Sequence, residues 1–169
     1  DEARAVYAEL AARKPDNQDL ARTVVQLALE QGAAGADEAA EAYLARWPDD
    51  VATRAWWAAR LTEEGRSAEA RREHRRVVGD IPKGTPDPHM LRLRATSLTA
   101  LDRRAEARAE WQALLARQPD DRVALVELAR FDLEQGDVDG AESRVERLET
   151  LAPREDDTRT LRARVDHAR

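Results

Sequence analysis

Five prolines recur along the chain at nearly constant spacing. They are Pro15, Pro48, Pro82, Pro119 and Pro153, and the successive steps are 33, 34, 37 and 34 residues. Proline cannot donate the hydrogen bond that continues an α-helix, so each proline is predicted to follow the end of a helix. A period near 34 residues is typical of chains built from repeated helix pairs. The spacing therefore predicts an all-α helical-repeat fold.

The segment 122–153 shows the repeated unit most clearly. Apolar residues recur every three or four positions in its first half, which predicts one apolar face on a helix: Leu125, Leu128, Ala129 and Leu133. Gly136 follows, where a left-handed helix cap costs glycine little. A second apolar set predicts a second helix: Ala141, Val145, Leu148 and Leu151. One such helix pair cannot bury both of its apolar faces, whereas stacked copies can.

Three further segments carry the same pattern in phase with the first. The matching residues are Val24, Val25, Ala28, Gly32, Ala36, Tyr43 and Pro48; Trp57, Ala58, Leu61, Gly65, Ala70, Val77 and Pro82; and Leu91, Ala95, Leu98, Ala107, Trp111, Leu114 and Pro119. On these residues the chain resembles the tetratricopeptide repeat family. The resemblance implies an all-α, right-handed superhelical solenoid of antiparallel helix pairs, forming a single domain over residues 1–169. The full repeats are assigned to 18–50, 51–84, 88–121 and 122–155.

The two ends of the sequence are assigned to partial repeats. Residues 1–15 place Val6, Tyr7 and Leu10 on one face and match the second helix of a repeat, so the sequence is predicted to begin within a larger protein. Residues 156–169 are interpreted as a polar capping helix or as the first helix of a further repeat, and the cap is favoured.

Two residues and one segment depart from the repeat pattern. Asp102 stands at the turn where the other copies have glycine, and Arg54 stands where a large apolar residue is usual, which predicts looser packing there. Residues 81–88 contain three prolines and break the period. They predict an extended connection, interpreted as a tolerated insertion in preference to a functional loop.

Composition and motifs argue against catalysis and cofactors. The chain lacks cysteine, which excludes disulfides and cysteine-based metal sites, and it has no apolar run long enough to span a membrane. The three histidines lack metal-ligand spacing, and His74 falls in a predicted apolar face. Residues 137–140 resemble the start of a calcium loop, but the chain enters a helix directly, which predicts a turn and helix cap. No phosphate-binding loop or nucleophile motif is present, so no enzyme activity and no cofactor are predicted.

The charge pattern argues against nucleic acid as a partner. The net charge is −6 and the isoelectric point is about 5.2. Arginines alternate with acidic residues, as in 106–110, which predicts solvated helix faces paired along the helix. Asp49 and Asp50 at a repeat junction are likewise predicted to be solvated. Phosphate binding needs clustered basic charge instead.

The resemblance implies that the first helix of each pair lines a concave groove that holds a segment of a partner protein. The positions that map to this groove include Arg22, Gln26, Ala52, Ala55, Ala59, Thr62, His89, Arg92, Thr96, Thr99, Val123, Val126, Arg130 and Glu134, with Arg164 continuing the line. The candidate binding residues are Arg22, Gln26, Trp56, His89, Arg92, Thr96, Arg130 and Arg164. Arginines along a groove favour an acidic partner, but ordinary solvated arginines in an arginine-rich chain are the preferred explanation. Trp56 is interpreted as a binding anchor or as a side chain packed on the next helix.

The predicted function is non-catalytic protein binding within a larger assembly. The chain also resembles tetratricopeptide repeat proteins of bacterial envelope and exopolysaccharide export, which implies a bacterial scaffold for polysaccharide secretion, in the periplasm rather than the cytoplasm. One alternative is a self-assembly module that forms homo-oligomers through open solenoid ends, because Val6, Tyr7 and Leu10 are predicted to be uncovered. The remaining alternative is a regulatory or RNA-binding repeat protein.

Overall fold

The computed structural model describes the backbone of residues 2–85 and 87–169 and the side chains from Arg4 onward. The described part of the chain contains ten α-helices and no β-strand. The chain divides into two compact units, residues 1–82 and residues 83–169. The assignment of the whole chain to a single domain therefore stays a prediction.

Unit 1 holds five helices, namely α1 (Glu2–Arg13), α2 (Gln18–Glu30), α3 (Ala36–Arg46), α4 (Val51–Glu63) and α5 (Ser67–Asp80). Unit 2 holds α6 (Pro88–Ala100), α7 (Arg104–Arg117), α8 (Arg122–Gln135), α9 (Val138–Leu151) and α10 (Asp156–Ala168). Short turns join neighbouring helices, and α2 packs on α3, α4 on α5, α6 on α7 and α8 on α9. This arrangement confirms the all-α fold of antiparallel helix pairs predicted from the sequence.

Local sequence sets the helix ends. The side chains of Asn17, Asp50, Asp121 and Asp137 accept a hydrogen bond from a backbone N–H in the first turn of α2, α4, α8 and α9 respectively. These contacts satisfy donors that the first turn of a helix otherwise leaves unpaired. Residues 137–140 are thus a turn and helix cap. Between α5 and α6 the described residues form turns and extended backbone; Pro86 lies outside the described residues.

Asp102 has the left-handed backbone that the turn position predicted, with φ of 57°. Gly32, Gly65 and Gly136 occupy the same conformation at the corresponding turns. The left-handed region crowds the Cβ of any residue except glycine. The side chain of Asp102 compensates only through an exposed ion pair with Arg104.

We expect Asp102→Gly to raise the free energy of unfolding by about 0.5 kcal/mol, because relief of the Cβ strain exceeds the added flexibility of glycine in the unfolded chain. Urea unfolding followed by circular dichroism measures the change. The variant Asp102→Ala keeps the Cβ and removes the carboxylate, so it should be less stable than the wild type. A lower stability for Asp102→Gly would contradict the strain.

Small residues allow the paired helices to approach closely. Ala58, Ala95 and Ala129 on the first helix of three pairs are fully buried, as are Ala107 and Ala141 on second helices. Larger side chains fill the space around these contacts. Trp111 is 1% exposed and Trp57 is 3% exposed, which confirms both as core residues. Burial of such apolar area is the main source of stability in a fold of this kind.

Three helix pairs also contain a buried ion pair. In α4 and α5, Arg54 Nη1 donates to Glu73 Oε2 at 3.1 Å, and the Glu73 side chain has no exposed surface. In α6 and α7, Arg94 Nε donates to Glu110 Oε1 at 2.8 Å. In α8 and α9, Arg144 donates to the fully buried Asp132. Each pair connects the first helix to the second.

These ion pairs change two expectations from the sequence. Arg54 is buried, with its guanidinium also donating to the carbonyl of Pro48 at 3.0 Å, so this position is filled by a paired charge. The prediction that the 106–110 segment is a solvated face was wrong at two positions. Glu110 contacts the buried Arg94, and Arg108 Nη2 donates to Asp132 at 2.8 Å. Alternation of charge along one helix does not reveal partners on the next helix.

His74 is a core residue, as its position in the apolar face of α5 predicted. It is 2% exposed, and its Nε2 lies 3.2 Å from Thr62 Oγ1. Burial lowers the pKa of His74, because the charged imidazolium loses its hydration. His74 therefore serves packing, and its surroundings favour the neutral ring.

Candidate functional site

In unit 2, ion pairs join the first helices of successive pairs, which are α6, α8 and α10. Arg92 of α6 pairs with Asp121, whose other carboxylate oxygen caps α8 by accepting from the Ala124 N–H at 3.0 Å. Arg122 at the start of α8 pairs with Glu155, which precedes α10. Further along, Arg130 Nη2 donates to Asp157 Oδ1 at 2.6 Å. Arg92 and Arg130, two of the residues that the sequence placed in a groove, therefore lie between neighbouring first helices.

These ion pairs border a cleft of about 740 Å³, called here the unit 2 cleft. Its lining comes from α6, the turn before α8, the first nine residues of α8 and the start of α10: Arg92, Gln118, Pro119, Asp120, Asp121, Arg122, Val123, Val126, Glu127, Arg130, Glu155 and Asp157. The lining includes Val123, which is 45% exposed, and the half-buried Val126. Few large apolar side chains are this exposed. Among the described residues, Val123 is the one large apolar side chain outside α1 that is exposed.

The charges around the unit 2 cleft are already compensated within the chain. Arg130 also donates to Glu127 Oε1 at 2.7 Å, and Asp120 accepts from Arg147 Nε at 2.8 Å. Each arginine in the lining thus has a carboxylate partner. The cleft presents an apolar surface enclosed by neutralised charge, which suits an apolar side chain entering between polar neighbours.

Unit 1 contains the equivalent contact between its first helices, α2 and α4. Arg22 Nε donates to Asp50 Oδ2 at 2.7 Å, and the same oxygen accepts from the Tyr43 hydroxyl at 2.5 Å. Asp50 Oδ1 caps α4 by accepting from the Thr53 N–H at 3.1 Å. Burial raises the pKa of Asp50, but the hydrogen bonds from Tyr43 and Arg22 outweigh burial and hold the pKa below its usual value. Asp50 is thus an ionised, largely buried cap.

A smaller cleft of about 300 Å³ lies between α2 and α4. Gln26, Trp56 and Arg60 are among its lining residues. Gln26 Nε2 donates to Glu30 Oε1 at 2.9 Å, and Arg60 Nε donates to Glu64 Oε1 at 2.8 Å. Trp56 is half-buried and packs against the apolar core of unit 1. Of the two interpretations of Trp56, partial burial on the neighbouring helix is confirmed, and one side of the residue still faces this cleft.

The structure distributes the eight candidate residues over several places. Arg92 and Arg130 line the unit 2 cleft, and Gln26 and Trp56 line the smaller cleft in unit 1. Arg164 lines a third cavity of about 500 Å³, between α10 and the last turn of α8.

The remaining three candidates, Arg22, His89 and Thr96, line none of these three cavities. Arg22 is bound to Asp50, whereas His89 and Thr96 are exposed. That all eight contact a partner stays a prediction.

The carboxylates that complete these ion pairs were missed at the sequence level. Asp50 and Asp121 are 8% and 7% exposed, so the prediction that the charge at the junction before α4 is solvated was wrong for Asp50. A signal was present, because each of the two follows a Pro-Asp pair and directly precedes a helix. Aspartate at that position is a preferred helix cap. Its second role, as acceptor for an arginine one repeat earlier, requires the three-dimensional stacking.

Neither a cluster of metal-binding side chains nor a membrane-spanning helix occurs among the described residues. No group of three or more histidine, cysteine, aspartate or glutamate side chains within residues 4–85 and 87–169 is placed to hold a metal ion. Across the same part of the chain, every helix is too short or too polar to cross a lipid bilayer.

Comparison with known proteins gives a family for the second half of the chain. A family model described as tetratricopeptide repeat matches residues 98–165. That range spans most of unit 2, including α8, α9 and most of the unit 2 cleft. No curated protein sequence matches the chain.

Solved structures with the same fold cover nearly the whole chain. A crystal structure of a tetratricopeptide repeat protein from Parabacteroides merdae is similar with a TM-score of 0.61 and 18% identity, covering 96% of this chain. This chain spans 59% of that protein's length. A MamA structure from Desulfovibrio magneticus RS-1 is similar with a TM-score of 0.63 and 16% identity, covering 90% of this chain and 93% of that one. A double mutant of MamA from RS-1 gives a TM-score of 0.62 and 16% identity over 90% of this chain and 94% of that one.

At these identities the structural matches establish the fold, and the family model establishes the repeat type over the segment that it matches. Both agree with the proline period, the alanine contacts between paired helices and the left-handed turns. Residues 98–165 therefore match the tetratricopeptide repeat family, and the chain as a whole has the fold of solved tetratricopeptide repeat structures.

Proposed function

We propose that the chain is a non-catalytic scaffold that binds a segment of a partner protein along the first helices of its repeats. The unit 2 cleft is the principal contact. Its size suits one or two side chains of a bound segment, and its lining mixes apolar surface with paired charge. The smaller cleft beside Trp56 provides a second contact of the same kind within unit 1.

The observation that carries this proposal is the exposure of Val123. A valine that is 45% exposed inside a cleft of about 740 Å³ loses contact with water when a partner side chain enters. Burial of apolar area at such a point is a typical source of binding energy at an interface. The surrounding polar groups then exclude water from the contact.

An acidic partner segment is a finer part of the proposal. Arg22, Arg92 and Arg130 lie on first helices and offer planar guanidinium groups to carboxylates. Because each already has a carboxylate partner in this chain, an acidic segment binds there only by exchange with that partner. A role in bacterial polysaccharide secretion or envelope assembly, in the periplasm, is likewise part of the proposal, and it follows from the sequence resemblance alone.

Self-assembly is a second candidate function, supported by a different observation. Val6, Tyr7 and Leu10 on α1 are 52%, 38% and 39% exposed, and together they form an apolar surface on unit 1. Exposed apolar patches are common at protein interfaces. Light scattering over a range of concentrations separates this candidate from partner binding, because only self-assembly raises the apparent mass of the pure protein.

We expect Val123→Glu to weaken partner binding by tenfold or more, a change of about 1.4 kcal/mol, because it places an unpaired charge in the apolar contact. The measurement uses the chain as bait, identifies a binding protein by affinity capture, and determines its Kd by titration. Val6→Glu is the matched control, since it adds the same charge at an exposed valine in unit 1.

The triple variant Arg22→Glu, Arg92→Glu, Arg130→Glu tests the acidic character of the partner. Loss of binding in this variant, with unchanged helicity, supports an acidic segment at the first helices.

For the Val123→Glu prediction, equal binding by the wild type and Val123→Glu would reject the unit 2 cleft as the contact. The identity of the captured protein also tests the proposed role in polysaccharide secretion.

A further inference from the structure

Helix α5 carries a concentration of arginine that the candidate clefts do not use. Residues 71–76 contain four arginines with one acidic residue between them, Glu73. Glu73 is fully buried and accepts hydrogen bonds from Arg54 at 3.1 Å, Arg72 at 2.9 Å and Arg76 at 3.2 Å. Its two oxygens are therefore occupied, and it compensates no further positive charge on this helix.

Arg71 and Arg75 are the two arginines of this segment that remain outside that network. They lie one helical turn apart on an exposed face. Among the side chains that the structure describes, no carboxylate lies within 4.0 Å of either guanidinium group, and Arg75 Nε instead donates to the Arg71 carbonyl at 3.2 Å. We name this pair of residues the α5 arginine face.

Many exposed arginines elsewhere in the described part of the chain have carboxylate partners. Arg104 pairs with Asp102 and Arg147 pairs with Asp120, for example. Arg117, which donates to the Ala113 carbonyl at 3.1 Å, and Arg154 stand alone without one. Glu69, the carboxylate nearest in sequence to Arg71 on α5 apart from Glu73, is already engaged. Glu69 accepts from Arg66 with both oxygens, at 3.0 Å and 2.7 Å. The α5 arginine face is thus a local excess of positive charge in a chain whose net charge is −6.

We propose that the α5 arginine face docks an acidic protein segment, whose carboxylates pair with Arg71 and Arg75. The geometry suits a partner helix with two acidic residues one turn apart, because both pairs of side chains then have the same spacing. The planar guanidinium fork matches a carboxylate and gives such a contact direction as well as charge.

Two features separate this surface from the partner site proposed above. The clefts are lined by first helices, whereas α5 is the second helix of its pair. The arginines of the unit 2 cleft exchange an existing carboxylate for a new one, whereas Arg71 and Arg75 gain a partner without losing one. An acidic segment therefore gains more electrostatic binding energy at α5 than at the unit 2 cleft.

Acidic protein fits this surface better than nucleic acid does. Polyphosphate binding draws on basic charge spread over a wide surface. Here Glu69 and Glu41 lie near enough to Arg72 to interact with its charge, so the arginine face is narrow and bordered by carboxylates. A short row of carboxylates can pair with two arginines without approaching those neighbours.

The test uses a fluorescein-labelled helical peptide with glutamates one turn apart, and fluorescence anisotropy gives its Kd at low and high salt. We expect Arg71→Glu together with Arg75→Glu to weaken binding by about tenfold or more. Arg117→Glu together with Arg154→Glu is the matched control. Both of these arginines are exposed and lie far along the sequence in unit 2, and the change in net charge is the same. The control variant is expected to stay within about twofold of the wild type.

Two further variants sharpen the result. Arg71→Lys together with Arg75→Lys keeps the charge and removes the guanidinium fork, so binding of intermediate strength supports paired recognition. Arg117→Lys together with Arg154→Lys should bind the acidic peptide as the wild type does, because these two arginines lie outside the α5 arginine face.

Three outcomes would overturn the proposal. The first is absence of peptide binding by the wild type at low salt. The second is equal weakening by the control variant, which indicates general attraction between opposite charges. The third is tighter binding of a single-stranded RNA of the same length, lost in the Arg71, Arg75 variant, which assigns the surface to phosphate.

Discussion

Glu73→Leu is expected to lower the free energy of unfolding by about 3 kcal/mol, because it removes the buried counter-charge of Arg54 and leaves only Asp80, a partly exposed carboxylate 3.6 Å from Arg54 Nε. The Arg54 side chain is 8% exposed and Glu73 is fully buried, so water cannot replace the lost contact. Arg72 and Arg76 are half exposed and return to solvent at little cost. Urea unfolding of the chain, followed by circular dichroism, measures the difference.

The double variant Arg54→Leu, Glu73→Leu distinguishes an unpaired charge from a loss of packing. Removing both partners restores an apolar contact of similar volume, so the double variant should lie within about 1 to 2 kcal/mol of the wild type. Glu73→Gln keeps the shape and an acceptor oxygen, so its free energy of unfolding should lie between those of Glu73→Leu and the double variant. If the double variant were as unstable as Glu73→Leu, the unpaired guanidinium of Arg54 could not be the cause.

Asp50→Ala is expected to cost about 2 to 3 kcal/mol, because one carboxylate serves three contacts. The change removes the cap of α4, worth about 1 kcal/mol, and leaves the hydroxyl of the buried Tyr43 without its acceptor, at a cost of about 1 kcal/mol or more. The contact with Arg22 adds little, because that side chain is partly exposed and can turn to water. The same unfolding measurement applies.

Asp50→Asn keeps a cap and loses the charge, so it should cost less than Asp50→Ala. In a Tyr43→Phe background the cost of Asp50→Ala should fall, since no hydroxyl is left unpaired. The folded-state pKa of Asp50 is below its ordinary value of about 3.9, so the stability from its charge is present above that pH. The advantage of the wild type over Asp50→Asn should shrink as the pH falls further. A constant advantage down to acid unfolding would contradict an ionised cap.

The positions of the helices could be predicted from the sequence because their signals are local. Pro119 and Pro153 follow helix ends, and Gly136 and Asp102 adopt the left-handed turns that the repeat pattern requires. Leu128, Val145 and Trp111 are buried as their spacing predicted. Helix periodicity and caps depend on neighbours within a few residues, so the sequence alone carries that information.

The candidate site could be predicted only in part, because its contacts join distant residues. Arg92 was predicted to face a groove, and it lies in the unit 2 cleft. Its pairing with Asp121 depends on how successive helix pairs stack, which no local pattern reports. The same holds for the burial of Glu73 and Asp132, since a charged residue in a polar sequence context gives no sign that an arginine on another helix covers it.

The buried ion pairs also restrict which helices can pair during folding. Repeats with similar apolar faces risk associating with the wrong neighbour, as in other repeat proteins. In α4 and α6 the buried first-helix charge is an arginine, whereas in α8 it is Asp132. A mistaken pairing of α4 with α9 would set Arg54 against Arg144, and a pairing of α8 with α5 would set Asp132 against Glu73. Like charges away from water repel strongly. The order of buried charges along the chain thus favours pairing of α8 with α9 and disfavours pairing of α8 with α5 or of α9 with α4 during folding.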